Sequence, residues 1–162
     1  MNLRPKTGFW DTLLWSWRPE SNREAGSGIV ANAHRINRGA FPICNDGFGD
    51  FFLFVQRDPQ EAVEWVVDVV SRRIPARFGL RPGDVQVLAP MYRGDCGIDA
   101  LNARLQETLN PPAPRKAERK LASRVFREGD RVMQIRNCYD KDVFNGDVGR
   151  IQTIDAEKKE MV

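Results

Sequence analysis

Residues Arg131-Val-Met-Gln-Ile-Arg-Asn-Cys-Tyr-Asp-Lys-Asp-Val-Phe-Asn-Gly-Asp-Val-Gly-Arg-Ile-Gln-Thr-Ile154 carry the clearest structural signal in this chain. The first five are β-prone, as are the last seven, Val148 to Ile154. Between them stands Asn145-Gly146, a dipeptide that reaches positive φ cheaply and so predicts a hairpin. The intervening residues place cations (Arg136, Lys141, with Arg150 beyond) beside ring faces (Tyr139, Phe144). Single-stranded nucleic acid asks for that combination, positive charge for phosphates and flat surfaces for bases. An ordinary hairpin with a solvated tip fits the same composition, and both readings stand at this point.

The charge distribution sharpens the question. The chain has 162 residues and a net charge of +3, too small to announce a polyanionic partner by itself. Yet eight Lys/Arg fall between Arg115 and Arg136, against only Glu118, Glu128 and Asp130. Cys44, Cys96 and Cys138 are widely spaced and form no C-x-x-C pair, which argues against a disulfide framework or a zinc site and for a reducing, cytoplasmic setting. No apolar run is long enough to span a bilayer, so no membrane partner is expected. The first residues lack the apolar core of a signal peptide.

Upstream, the pattern alternates. Ile29, Val30, Ala33 and Ile36 share one helical face, with Gly39 at the C-terminal cap position. Phe51 to Val55 reads as a buried strand. Asp58-Pro59 is a strong helix start, and Ala62, Val63, Val66, Val67 and Val70 line the inner face of a helix to about Ile74. Pro82-Gly-Asp84 is a turn, Val85 to Ala89 a second buried strand, and Gly97 to Leu109 a helix with Ile98, Leu101, Leu105 and Leu109 in one stripe. Helices alternating with strands predict an α/β class with a mainly parallel sheet. Asn110-Pro-Pro-Ala-Pro114 then stiffens the chain ahead of the basic stretch. A polar turn over 155–160 leads to a last strand at Met161-Val162, where the sequence stops within an element, as in a fragment.

Four strings taken in order resemble the RecD-like branch of the superfamily 1 DNA helicases. They are Ser27-Gly-Ile-Val-Ala-Asn-Ala-His-Arg-Ile-Asn-Arg-Gly39, Val87-Leu-Ala-Pro-Met-Tyr-Arg-Gly94, Leu101-Asn-Ala-Arg-Leu-Gln106 and Val143-Phe-Asn-Gly-Asp-Val-Gly149. The resemblance implies residues 1–22 unmatched and poorly ordered, 23–110 part of a second RecA-like domain, 111–128 a Pro-rich basic linker, and 129–162 the start of an inserted Src-homology-3-like barrel. The implied fold class is α/β, a partial RecA-like parallel sheet with flanking helices followed by a small β-hairpin segment.

The resemblance further implies that Arg23 reaches a nucleotide γ-phosphate, although its neighbours are Asn22 and Glu24 where the family shows an aromatic residue and Gln. A surface arginine near a helix start is the alternative. Tyr92 and Arg93 are implied to lie near the DNA backbone, with Gly94 and Gly97 allowing close approach; a plain loop with Asp95 capping the next helix is the other reading. Asn137, Tyr139, Lys141 and Phe144 are candidates for touching the strand, Phe144 also for the barrel core. Asn145, Gly146, Asp147 and Gly149 are expected to set the turn and its register. His34, the sole histidine, reads as structural.

ATP and Mg belong to the parent enzyme that this resemblance implies. No G-x-x-x-x-G-K-[ST] loop occurs, so no catalytic residue, no metal site and no tight nucleotide binding are expected in isolation. The expected partners are single-stranded DNA and, beyond it, the remaining helicase domains or a recombination or repair complex. A non-enzymatic module that binds single-stranded nucleic acid or a helicase partner is the alternative.

Overall fold

A computed structural model describes residues 13–16, 27–44, 49–155, 157–158 and 160–162. The chain divides into two compact units, Met1–Ala62 and Val63–Val162.

In the first unit, strand β1 (Leu13–Ser16) pairs antiparallel with β2 (Phe51–Phe54), in the register Leu13↔Phe54 to Ser16↔Phe51. β1 therefore falls inside the stretch read as unmatched. Helix α1 (Gly28–Asn37) ends at Gly39, whose φ of +74° closes the last turn as the sequence predicts. Its start is capped from a distance. Asp50 accepts from the Gly28 amide at 2.8 Å and from the Ser27 hydroxyl at 2.7 Å. The face of α1 that buries is not the apolar one: Val30, Ala33 and Ile36 are exposed, and Asn32 is fully buried. Asn32 donates to the Ile43 carbonyl and accepts from the Ile43 amide, both at 2.7 Å. A side-chain amide matches a backbone amide in both directions, so this helix is fastened by hydrogen bonds.

Helix α2 (Pro59–Asp68) begins as its sequence predicts, with the Asp58 carboxylate accepting from the Gln60 and Glu61 amides at 2.8 and 3.0 Å. Ala62, Val63, Val66, Val67, Val70 and Ile74 are all buried. The helix continues past Ile74. It widens into a π-turn over Val69–Arg73 and resumes as α3 (Ile74–Phe78), ending at Gly79 with φ +67°. Pro75 explains the widening, because its ring cannot donate and crowds the carbonyl four residues back.

A 3₁₀ turn over Pro82–Asp84 follows, then α4 (Ile98–Leu109), with Leu101 buried. Arg104 on α4 bonds Glu64 on α2 at 2.6 Å and Glu107 at 3.0 Å. The remaining strands are β3 (Glu118–Leu121), β4 (Arg124–Arg127), β5 (Arg131–Met133), β6 (Val148–Arg150), β7 (Ile154–Asp155) and β8 (Glu160–Met161). They pair β3 with β4, β5 with β6 and β7 with β8, each antiparallel. Ile151 and, on β7, Ile154 are buried.

Two expectations change. The predicted parallel sheet is absent among the described residues, where every strand pair is antiparallel and two-stranded. Val85–Ala89 is extended and has no strand partner among the described residues, and Leu88 is 87% exposed. An apolar β-prone run becomes a strand only when a neighbour supplies its ladder of hydrogen bonds. The fold is therefore mixed α and β, with small antiparallel pairs. Second, the basic stretch read as a linker contains the β3–β4 hairpin, closed by Ala122-Ser123. Ala122 takes φ +52°, which alanine rarely adopts, so the sequence hides this turn.

Candidate nucleic-acid interface

The β5–β6 pair forms as predicted, Arg131↔Arg150, Val132↔Gly149 and Met133↔Val148, but Asn145-Gly146 does not join the strands directly. A longer loop, residues 134–147, projects from their ends. Its neck is closed by Gln134, whose amide donates to the Asp147 carbonyl at 2.8 Å and whose carbonyl accepts from the Gly146 amide at 2.9 Å. Further out, Cys138 and Val143 form an isolated antiparallel bridge around a 3₁₀ turn at Tyr139–Lys141. Asp142, at φ +52°, turns the chain back.

Asn145, Gly146 and Asp147 act within a four-residue turn. The Asp147 amide donates to the Phe144 carbonyl at 3.0 Å, and Gly146 takes φ +99°, the positive value that the third position of a type II turn requires. The Asp147 carboxylate accepts from the Phe144 amide at 2.7 Å. Asn137 braces this turn, its carbonyl accepting from the Asn145 amide at 2.8 Å while its amide reaches the Tyr139 hydroxyl at 3.2 Å. Gly149 sits in β6 opposite Val132 with open space around it.

The loop thus holds two rings outward. Tyr139 is 76% exposed and Phe144 42%, their centroids 6.1 Å apart and nearly perpendicular at 75°. Phe144 is paired with another ring at the surface, and Lys141 and Arg136 are exposed beside them. Such an edge-to-face pair is a stable arrangement, and it leaves ring surface open to stack against a base.

Tyr92 and Arg93 are exposed on the loop leading into α4. Among the described residues, no hydrogen bond or ring contact joins that loop to residues 134–147. The loop folds on itself: the Ile98 and Asp99 amides donate to the Met91 and Tyr92 carbonyls at 2.9 and 3.2 Å. Gly97 is required for this, since a methyl there would meet the Arg93 carbonyl at 2.7 Å. Gly97, not Asp95, occupies the N-cap of α4, with no side-chain cap. Arg23 lies outside the described residues. His34 is exposed on α1.

The side chains that hold this surface in place escape sequence reasoning. Asp130, immediately before β5, accepts from Asn110 at 2.7 Å, from Gln106 at 2.5 Å and from the Arg127 amide at 2.8 Å. Arg127, only 6% exposed, pairs with Glu118 at 2.5 Å and donates to the Asn110 carbonyl. Glu128 accepts from the amides of Ala117 and Ile154 at 3.3 and 3.1 Å. These bonds fasten the end of α4 to β3, β4, β5 and β7. Pro114-Arg-Lys116 and Glu128-Gly-Asp130 carry no local signal that marks a polar core.

The thiols of Cys44, Cys96 and Cys138 are free, and burial pushes those of Cys44 and Cys96 above the ordinary cysteine value. Among the described residues no group of His, Cys, Asp and Glu could hold a metal ion. No helix of the described residues is long and apolar enough to cross a membrane.

Residues 101–162 match the family of the ATP-dependent RecD-like DNA helicase SH3 domain. A stretch of 70 residues is 41% identical to the ATP-dependent RecD2 DNA helicase of Deinococcus radiodurans, covering 43% of this chain and 9% of that protein. The chain therefore spans less than a tenth of the length of this curated relative. The polar cluster around Asp130 and the ring-bearing loop both lie within the family-matched residues, whereas α1, Tyr92 and Arg93 lie outside them.

Proposed function

We propose that this chain, whose residues 101–162 match the family of the ATP-dependent RecD-like DNA helicase SH3 domain, serves as the strand-gripping part of a RecD-like helicase. The observation that carries the proposal is the exposed pair Tyr139–Phe144 with Lys141 beside it, held on a loop braced by Asn137 and Asp147. Rings offer stacking faces to successive bases irrespective of sequence, and the adjoining cation offsets phosphate charge. Asn145, Gly146 and Asp147 support the rings, and Asn137 contributes mainly through that bracing. Arg93 and Tyr92 supply a further contact to the strand backbone.

ATP turnover belongs to the parent motor. Phosphoryl transfer needs a phosphate-cradling loop, a metal and an oriented water together. The cradle motif is missing from this sequence, so its residues do not fit that role. The chain by itself neither hydrolyses ATP nor unwinds DNA. Motion from 5′ to 3′, and a place in repair or recombination, are properties we assign to the whole helicase.

Fluorescence anisotropy with a labelled oligothymidylate tests the proposal. Binding should weaken as salt rises. Replacing Tyr139 and Phe144 together by Ala should cost about 1–3 kcal/mol for each lost stacking contact. Unchanged affinity in that variant would refute the assignment of the rings.

A further inference from the structure

Strands β5 and β6 oppose two arginines directly. Arg131 and Arg150 are cross-strand partners, so their side chains leave the same face of the pair. Like charges in that position are destabilising, and protein carboxylates do little to relieve them. Neither arginine forms an ion pair among the described residues. Arg131 donates to the Val85 carbonyl at 3.1 Å, and Arg150 to the Gly129 carbonyl at 2.9 Å. The other Arg150 terminal nitrogen would lie 3.3 Å from a methyl built on Gly83. Both guanidiniums therefore lean over the same short segment, residues 83–85.

The acid in that segment is already engaged. Asp84 pairs with Arg81 at 3.0 Å, and this bond is the main reason its carboxyl is held below the ordinary aspartate value, the charge of Arg131 adding a smaller pull. Arg81 and Arg131 thus share one carboxylate, and Arg150 has none. Each of Arg131 and Arg150 spends one donor on a carbonyl and has others to offer.

The same face continues toward the ring-bearing loop. Met133 opposes Val148 one pleat further along, and both are exposed. The chain of surface features runs from paired cations through an apolar patch to the edge-to-face rings. Two residues of strand separate the arginine and apolar rungs, roughly 7 Å.

The geometry points to a phosphate clamp: Arg131 and Arg150 together hold one phosphodiester of a single-stranded nucleic acid, while Met133 and Val148 meet the adjoining sugar or base. The bound phosphate supplies the negative charge that the arginine pair lacks, and the guanidinium fork suits phosphate oxygens in pairs. This inference rests on the strand-gripping reading and adds to it a defined anion site and a path, from the clamp to the Tyr139–Phe144 rings.

The test measures affinity for oligothymidylate across a salt series with the full chain. Arg131→Gln with Arg150→Gln should lose roughly tenfold in affinity at low salt. The slope of log affinity against log salt should flatten by about 0.7, one single-strand phosphate. The urea midpoint should hold or rise as the like charges disappear. Arg150→Lys keeps the charge and lacks the fork, so it should retain the slope and lose part of the affinity; it also serves if the double variant loses structure. An oligonucleotide with neutral methylphosphonate linkages should bind wild-type protein more weakly, with a smaller penalty in the double variant.

If the arginine variants keep wild-type affinity and slope while Tyr139→Ala with Phe144→Ala weakens binding, the clamp is wrong and the ring assignment stands. If the wild-type chain binds no oligonucleotide even at low salt, both fall.

Discussion

Replacing Asp130 by Ala should be among the most damaging single changes to the second unit. The carboxylate accepts three hydrogen bonds, from Asn110, Gln106 and the Arg127 amide, at 2.7, 2.5 and 2.8 Å. Hydrogen bonds to a charged group contribute about 1.5–3 kcal/mol each, so three sealed from water would reach roughly 5–9 kcal/mol. Asp130, Asn110 and Gln106 are only half-buried, and water re-solvates part of what is freed. The expected loss is therefore about 2–4 kcal/mol. That is a large share of the about 5–15 kcal/mol that holds a typical domain together. Urea unfolding followed by far-ultraviolet circular dichroism measures it, with the midpoint falling by roughly 1–2 M if the slope is about 2 kcal/mol per M.

Two comparison variants give the number meaning. Asp130→Asn keeps one acceptor oxygen and should cost about half as much. Asp140→Ala, on the exposed 3₁₀ turn of the loop, should stay within about 0.5 kcal/mol of wild type. Because Asp130 directly precedes Arg131, its loss should also weaken oligonucleotide binding without touching a contact residue. A midpoint for Asp130→Ala indistinguishable from that of Asp140→Ala would refute the claim that this polar cluster positions the surface.

The remaining predictions concern backbone strain and pH. Ala122 carries φ +52° in the two-residue β3–β4 turn; Ala122→Gly relieves a cost of about 1–2 kcal/mol but frees the unfolded chain by about 0.4–1 kcal/mol. A net gain of roughly 0.5 kcal/mol is expected by urea titration, and a clear loss would show that the turn is not strained. Asp68 is held below the ordinary carboxyl value, first by its hydrogen bond from Arg73 at 2.5 Å, with burial opposing and the hydrogen bond and charge of Arg72 adding to the pull. A depressed folded-state value means its stabilisation is complete above about pH 4 and fades as pH falls through that lower value. Asp68→Asn should accordingly flatten the acid limb of the stability profile, and an unchanged limb would assign it to other carboxylates.

The parts legible in advance were those whose cause is local. Asp58-Pro59 placed the start of α2, and the spacing of Ala62, Val63, Val66, Val67 and Val70 marked the residues that bury. Alternation and turn chemistry foresaw that β5 pairs with β6, and positive φ at Gly146 and Gly39 follows from what glycine adopts cheaply. At the site, Tyr139, Lys141 and Phe144 share one loop because they are close in the chain. Asn137 and Asp147 were placed there too, but which atoms they brace depends on how the loop folds back.

What stayed hidden depends on partners distant in the chain. Val85–Ala89 has the composition of a buried strand, yet no neighbour supplies its ladder among the described residues. The β3–β4 hairpin closes through Ala122-Ser123 against local preference, because pairing along four residues outweighs one strained φ. Asn32 displaces the apolar face of α1 because Ile43, eleven residues on, presents an amide that matches its own.

The sequence by itself determined the start and buried face of α2, the pairing of β5 with β6, the chemistry of the ring-bearing loop and its likeness to RecD-like helicases. Propensity, periodicity and turn residues act over a few positions and can be read one window at a time. Only the tertiary structure decided that Asp130 gathers Gln106, Asn110 and Arg127, and that Arg131 and Arg150 lean together over residues 83–85. Those arrangements rest on hydrogen bonds between segments as far as 46 residues apart, and only the folded backbone sets which segments meet.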